Sequence, residues 1–319
     1  MYQKLIKRNL QRIYLFLRRI KPPGFHGVGL YDVLRFLIVS LSSSRFNLMS
    51  AAMAYNFFFS LFPTLILVFL LVPYIYIPHI NIKHEVTVLI NQYIPRGSIP
   101  TVEPLVLRFL QKKESIWWLL LNVFLALNSS IRGIFAMMGA FSHHDGENRR
   151  KGLLRWYAVA FSIFFILVLF FLVSITILNL GEFLIDWLYQ FKLIPISSKI
   201  ILKGLNYLIN FTLILFGVSM SYKLGSIRGK KWRFFSAGSV VGSTLLLLTL
   251  IALNYYFANF GNYNKLYGGM ATVVILMLWF YYVSAVLLIG FELNVAIDDA
   301  KKYRLSFQQR REDEDIGEL

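Results

Sequence analysis

The chain contains no cysteine among its 319 residues, which excludes disulfides, thiolate nucleophiles and cysteine-held metals. Charge is scarce. Asp, Glu, Lys and Arg make up 15% of the chain, against about 25% in ordinary soluble domains. Acidic residues are scarcer still, 16 against 33 Lys and Arg, for a formal charge of +17. There are five histidines, His26, His79, His84, His143 and His144, and none forms an HExxH or similar ligand spacing. His143-His144-Asp145 reads as a polar turn. No P-loop and no GxSxG is present. A nuclease needs clustered carboxylates or histidines for metal or acid–base work, and the sequence shows no such cluster. The expectation is therefore a protein without enzymatic activity, cofactor or metal.

What the chain has in excess is apolar surface: 57% hydrophobic and 17% aromatic residues, with a mean hydropathy of +0.60. A soluble globule cannot be coated by so little polar surface, and the length of the uncharged runs points to lipid. Residues 46–82, 156–181, 204–222, 234–264 and 266–291 carry no Asp, Glu, Lys or Arg, and 115–142 carry only Arg132. A bilayer core of about 30 Å needs about 20 such residues in a helix. The predicted fold is an all-α membrane protein with six transmembrane helices, near 50–77, 117–141, 156–180, 201–222, 235–257 and 268–292, preceded by amphipathic interfacial helices at the N-terminus. The predicted organisation is a basic N-terminal segment over 1–45, a transmembrane domain over 46–297 and a charged tail over 298–319.

The first twenty residues lack the uninterrupted apolar core of a signal peptide, because Lys4, Lys7, Arg8, Arg12, Arg18 and Arg19 are spread through them. Ile6, Leu10, Ile13, Leu17 and Ile20 recur at helical spacing, which predicts a helix lying on the membrane surface. Residues 30–44, interrupted by Asp32 and Arg35, are too short to span and predict a second interfacial helix. Orientation follows from the distribution of Lys and Arg. Seven fall in 1–27, four in 142–155, five in 223–233 and five in 298–319. These segments lie on one side of a six-span arrangement and hold far more than the eight on the other side. Both termini are therefore expected in the cytoplasm. The long 78–116 loop, with Pro78, Pro95, Pro100 and Pro104, is the one sizeable element expected outside. The basic segments flank apolar runs, which suits anionic phospholipid headgroups rather than nucleic acid.

Particular motifs carry a resemblance. Ala51-Ala52-Met53-Ala54-Tyr55 followed by Phe59-Ser60-Leu61-Phe62-Pro63 resembles the AAxLAYxxxxSLFP signature of the YihY/BrkB family of bacterial membrane proteins. Tyr263, Leu266-Tyr267-Gly268 and Leu278-Trp279-Phe280-Tyr281 resemble its YxxxYG and LWLY elements, and Gly290-Phe291-Glu292-Leu293-Asn294 its GAELN element. Phe291 departs from the pattern, where a small residue is commoner. The resemblance covers nearly the whole chain and implies a six-helix protein of the bacterial inner membrane. Family members carry labels as different as ribonuclease BN, serum resistance and envelope lipid handling, so the resemblance does not choose an activity.

Several residues stand out within the predicted spans. Glu292 follows 26 uncharged residues, and a carboxylate at such a depth is expensive unless paired, protonated or wet. Tyr281, Ser284, Ala285 and Leu288 share its helical face. Asn294 lies just beyond. Arg132, with Asn128, Ser129 and Ser130 before it, predicts a polar cluster facing protein or a water-filled cavity. An ion pair between Arg132 and Glu292 competes with a substrate site as its explanation. Asn56 and Ser60 share a face of the first span, where interhelical hydrogen bonding is the plainer reading. Gly238 and Gly242 form a GxxxG suited to close packing, within the bundle in preference to a homo-oligomer contact. Gly268-Gly269 opens the sixth span and permits a sharp turn. Pro63 and Pro73 predict a bent first helix.

These features predict a transporter of an amphiphilic envelope component such as a phospholipid, with Glu292, Arg132, Asn56, Ser60, Asn128, Tyr281, Ser284 and Asn294 along a polar path. The competing expectation is a scaffold or regulator of envelope assembly, in which every one of these polar residues is structural.

Overall fold

The computed structural model describes residues 20–22, 24–71, 115–143, 153–190, 196–259 and 269–317. The predicted N-terminal surface helix, most of the 78–116 loop, Pro73, Gly268 and the last two residues lie outside them. The described residues form helices and no strands. In chain order the helices are α1 (Leu30–Leu41), α2 (Ser44–Leu71), α3 (Ile116–Phe141), α4 (Leu153–Gln190), α5 (Ile196–Gly225), α6 (Ala237–Asn259) and α7 (Gly269–Gly317), with a 3-10 turn at Arg228–Lys231.

Serines punctuate the helix starts, because their side-chain oxygens accept backbone N–H groups that the first turn leaves unpaired. Ser43 Oγ accepts from Phe46 N–H at 3.3 Å ahead of α2, and Ser115 Oγ from Trp118 N–H at 3.4 Å ahead of α3. At α6 the cap is reciprocal. Ser236 Oγ accepts from Ser239 N–H at 3.2 Å and Ser239 Oγ from Ser236 N–H at 2.9 Å, the logic of a capping box with serine in both roles. The predicted short helix over 30–44 is α1, which stops at Ser42 before the chain restarts as α2. Helix α2 runs unbroken through Pro63.

Four stretches among the described residues are long and apolar enough to cross a membrane: Ser44–Leu67, Ile116–Phe141, Leu208–Gly225 and Val273–Gln309. Shorter apolar stretches lie in α4, at Leu154–Phe170, and in α6, at Ala237–Leu253. Six helices thus fall where six spans are expected, and two of them have the shorter apolar runs. The chain is multi-pass. The last helix differs from expectation more sharply. The apolar run ends at Glu292, but the helix runs on to Gly317. No Pro or Gly occurs between Gly290 and Gly317. Loss of hydropathy ends a span, whereas a helix ends where propensity or capping ends it.

The chain forms two compact units, 56–133 and the remainder, 1–55 with 134–319. In the larger, α7 is the common partner of α6 and α1, while α5 packs on α4 and α6. Gly238 and Gly242 of α6 meet Gly290 of α7. A Cβ on Gly290 would stand 2.8 Å from Gly242 Cα and 2.7 Å from the Gly238 carbonyl oxygen, so the two backbones touch where side chains would separate them. Beside this crossing Phe291, fully buried, stacks on Phe141 with centroids 4.4 Å apart, and Tyr222 and Trp232 pack against it. Gly225 leaves room for this arrangement: a Cβ there would lie 2.8 Å from the Phe141 ring. The departure from the family pattern at Phe291 is therefore the centre of an aromatic cluster. Beyond the apolar half of α7, Phe25, Val28 and Val33 form a second core with Leu293, Ala296, Ile297 and Ala300.

In the smaller unit, Asn122, Ala126 and Ile131 of α3 are buried, and a Cβ on Gly133 would meet the Phe57 ring at 3.0 Å. Ser60 Oγ donates to the Phe57 carbonyl at 2.8 Å, so its hydroxyl proton is used within its own helix.

Candidate functional site

The site grows from the junction of the two halves of α7. Glu292 is 4% exposed, and its Oε2 accepts the Ser40 hydroxyl at 2.6 Å. That short distance suits a charge-assisted bond. Ser40 is presented by the last turn of α1, and Ser43 closes the break after it by donating to the Ser40 carbonyl at 2.7 Å. The first turn of α2 brings Arg45, whose Nη1 lies 3.1 Å from Nε2 of His143, just past α3. A guanidinium only donates, so this bond requires an unprotonated Nε2. Asp299, two turns along α7 from Glu292, takes Arg228 Nη1 at 3.1 Å and has Lys302 Nζ at 3.9 Å.

These groups line one cavity of about 430 Å³. Its polar wall is Ser40, Ser43, Arg45, His143, Glu292 and Asp299, and its apolar wall includes Phe36, Val39, Phe46 and Met49. Carboxylates and a cationic side chain thus share a pocket whose other face is hydrocarbon. That combination can hold a polar headgroup while its apolar part stays against the aromatic and aliphatic wall.

The remaining α7 residues have different roles. Asn294, also buried, accepts Gly238 N–H at 2.8 Å and donates to Ser236 Oγ at 2.8 Å, so it completes the cap of α6. Ser284 is fully buried and its hydroxyl has no partner among the described residues. Tyr281 is half-buried and meets Tyr282 edge-on at 5.8 Å. Leu288, between them and Glu292, is fully buried.

Residues 37–315 match the family described as Virulence factor BrkB. The chain belongs to that family. A ribonuclease-like protein of Bacillus subtilis (strain 168), YfkH, is 26% identical over 260 residues, covering 79% of this chain and 90% of that protein. Shorter likenesses join it to UPF0761 membrane proteins. One from Tolumonas auensis is 30% identical over 30% of this chain and 32% of its own length. Another from Idiomarina loihiensis is 31% identical over 25% and 28%. No solved structure matches the chain.

Within this BrkB-family protein the predicted residues divide. Glu292, Asn294, Ser284, Gly238 and Gly242 lie in the larger unit, and Gly269 is the first residue of α7. Asn56, Ser60, Asn128 and Arg132 lie in the smaller. Asn128 and Arg132, expected to face protein or a water-filled cavity, are both exposed, in line with Leu121, Phe124 and Leu125 on one face of α3. Residues four apart share a face, and the packed face of α3 belongs to Asn122, Ala126 and Ile131. Asn56 and Ser60 are half-buried.

Sequence reasoning missed Ser40, Ser43, Arg45 and Asp299 as companions of Glu292, and read His143 only as a turn residue. Ser40 is separated from Glu292 by 252 positions, a distance that no local pattern bridges. Gly290 had a signal: a GxxxG on one helix needs a small residue on its partner, and Gly290 is the one glycine between Gly269 and Gly317.

Proposed function

We propose that this BrkB-family protein is a six-span transporter of the bacterial inner membrane that moves an amphiphilic envelope component, with a phospholipid as the leading substrate and both termini in the cytoplasm. The observation that carries the reading is the Glu292 cavity: a buried carboxylate at the end of the longest apolar helix, facing Arg45, His143 and an aromatic wall. The excess of Lys and Arg in 1–27, 142–155, 223–233 and 298–319 supports the orientation. Helices α2 to α7 each have at least 23 residues, which supports six crossings.

The reading includes no ribonuclease chemistry. Hydrolysis of RNA would need a metal or an acid–base cluster, and no group of three His, Asp or Glu stands together among the described residues. One observation favours a scaffold instead. Asn294, Asp298 and Asp299 each join α7 to another element, as a purely structural helix would.

The test is movement of a fluorescent phospholipid between leaflets of liposomes that contain the purified protein. Glu292→Gln keeps the size of the side chain and an acceptor for Ser40, and removes the charge. The expected result is at least a tenfold slower movement by a folded, inserted variant. Equal rates for both proteins would discard the role of Glu292. No movement with the wild type in tight liposomes, with or without a proton gradient, would favour the scaffold.

A further inference from the structure

A second cavity of about 870 Å³ shares no residue with the Glu292 cavity. It is a groove between Pro22 and Gly24–His26, the 231–236 segment, the first turns of α6 and the polar half of α7. His26, Lys231, Arg233, Lys301 and Lys302 line it, with Asp298 as the single carboxylate. Asp298 Oδ2 already accepts Trp232 Nε1–H at 3.0 Å. Lys302 leans toward Asp299, outside the groove. Lys231, Arg233 and Lys301 have no carboxylate partner among the described residues. Three uncompensated cations therefore converge on one groove.

The opposite wall is apolar. Phe235, Val240, Val241 and Leu305 are all exposed there. Val240 and Val241 open the apolar stretch Ala237–Leu253 of α6. Exposed valines near the head of an apolar helix, in one groove with a set of cations, match the chemistry of a lipid, a charged phosphate joined to hydrocarbon. The helix end itself is not the attraction, because Gly238 N–H and Ser239 N–H are taken by Asn294 and Ser236. At the lip, His26 is held at φ 50 between Gly24 and Gly27, and a Cβ on Gly24 would touch Ala237 Cβ at 3.3 Å. A non-glycine residue in this conformation persists only where its surroundings impose it.

We propose that this groove binds the phosphodiester headgroup of an anionic phospholipid, with Lys231, Arg233 and Lys301 around the phosphate and the acyl chains along Val240 and Val241. The ligand class rests on the lipid reading above, whereas binding itself needs no transport. RNA presents the same phosphate chemistry but would use a longer cationic track with stacking aromatics. Here the cations are gathered at one groove, and of its exposed apolar side chains only Phe235 is aromatic, while Val240, Val241 and Leu305 are aliphatic.

The test uses the full-length protein in non-ionic detergent and labelled phosphatidylglycerol, with phosphatidylcholine of the same chains and label as comparator. The variants are Lys231→Gln/Arg233→Gln and Lys301→Gln/Lys302→Gln. Of these four side chains only Lys302, at the Asp299 carboxylate, has an ion pair among the described residues, and all four are exposed, so the substitutions leave the packed core untouched. Arg35→Gln/Arg155→Gln removes the same charge from exposed positions elsewhere. At about 1 kcal/mol per cation near the surface, each groove variant should raise the Kd for phosphatidylglycerol on the order of tenfold, and the control less than twofold. Phosphatidylcholine should bind at least tenfold more weakly. Equal losses in groove and control variants, equal binding of both lipids, or unchanged affinity in the groove variants would each overturn the site. So would displacement of the lipid by inorganic phosphate or a short RNA at concentrations where unlabelled phosphatidylglycerol does not displace it. No phosphatidylglycerol binding by the wild type, with leaflet movement intact, would remove the site alone. Intact binding without movement would keep the site and count against transport.

Discussion

The two halves of α7 are held by different physics. Toward Phe291 the helix is fixed mainly by shape: backbone meets backbone at Gly238, Gly242 and Gly290, and Phe291 stacks on Phe141, with one polar bond beside them from the Tyr222 hydroxyl to the Leu287 carbonyl at 2.7 Å. From Glu292 onward directional polar bonds are added to the apolar core around Leu293, Ala296, Ile297 and Ala300. Glu292 reaches α1, Asn294 reaches α6, Asp299 reaches the 3-10 turn, and Arg304 Nη1 donates to the Gly27 carbonyl at 2.9 Å. Where surrounding groups are all apolar, only fit distinguishes one partner from another. Where water competes, fit is backed by groups that must be matched donor to acceptor. The first half should therefore be intolerant of size and the second intolerant of chemistry.

The largest effect is expected from Gly238→Val, because its Cβ would fall on the Gly290 carbonyl. A cost of about 3 kcal/mol or more follows, at the top of the range for overpacking since backbone must move. Size-exclusion profiles in detergent should show loss of monodisperse protein, and a normal profile would mean the helices do not cross there. Asn294→Ala tests the other half. It leaves the buried Gly238 N–H without its acceptor, at a cost of about 1–3 kcal/mol, read as a lower Tm. Asn294→Asp keeps that acceptor and should recover part of the loss, and equal Tm values for the two would show that the amide does not act as a cap. The smallest effect belongs to Asp299→Asn. Its pair with Arg228 is 33% and 24% exposed, so the cost should stay below about 1 kcal/mol and shrink at high salt. A large, salt-independent loss would mean that the polar half is held more like a core than the comparison allows.

The two halves also differ in how much of them the sequence discloses. Charge-free runs locate the apolar parts of α2 to α7, though not the ends of α4 and α7, because lipid favours helices that satisfy their own backbones. Glu292 is conspicuous for the same reason, as the first charge after a long uncharged run. Its surroundings are hidden. Ser40, Arg45 and His143 are ordinary polar residues until tertiary packing gathers them. The exposure of Arg132 is hidden too, since periodicity tells which residues share a face of α3 but not which face is packed. The continuation of α7 past Glu292 was legible in principle: the segment has good helix formers and no breaker. Hydropathy drew attention to where the span ends and away from where the helix ends.

That continuation has a mechanical consequence. At about 1.5 Å per residue, the 49 residues of α7 make a rod of roughly 74 Å with no joint in it. A tilt imposed on its apolar end is transmitted as leverage to the Glu292 cavity and to the cationic groove alike, and α6, locked to it at Gly290, must travel with it. Any hinge that serves these sites therefore lies in the connections to the rod and not along it.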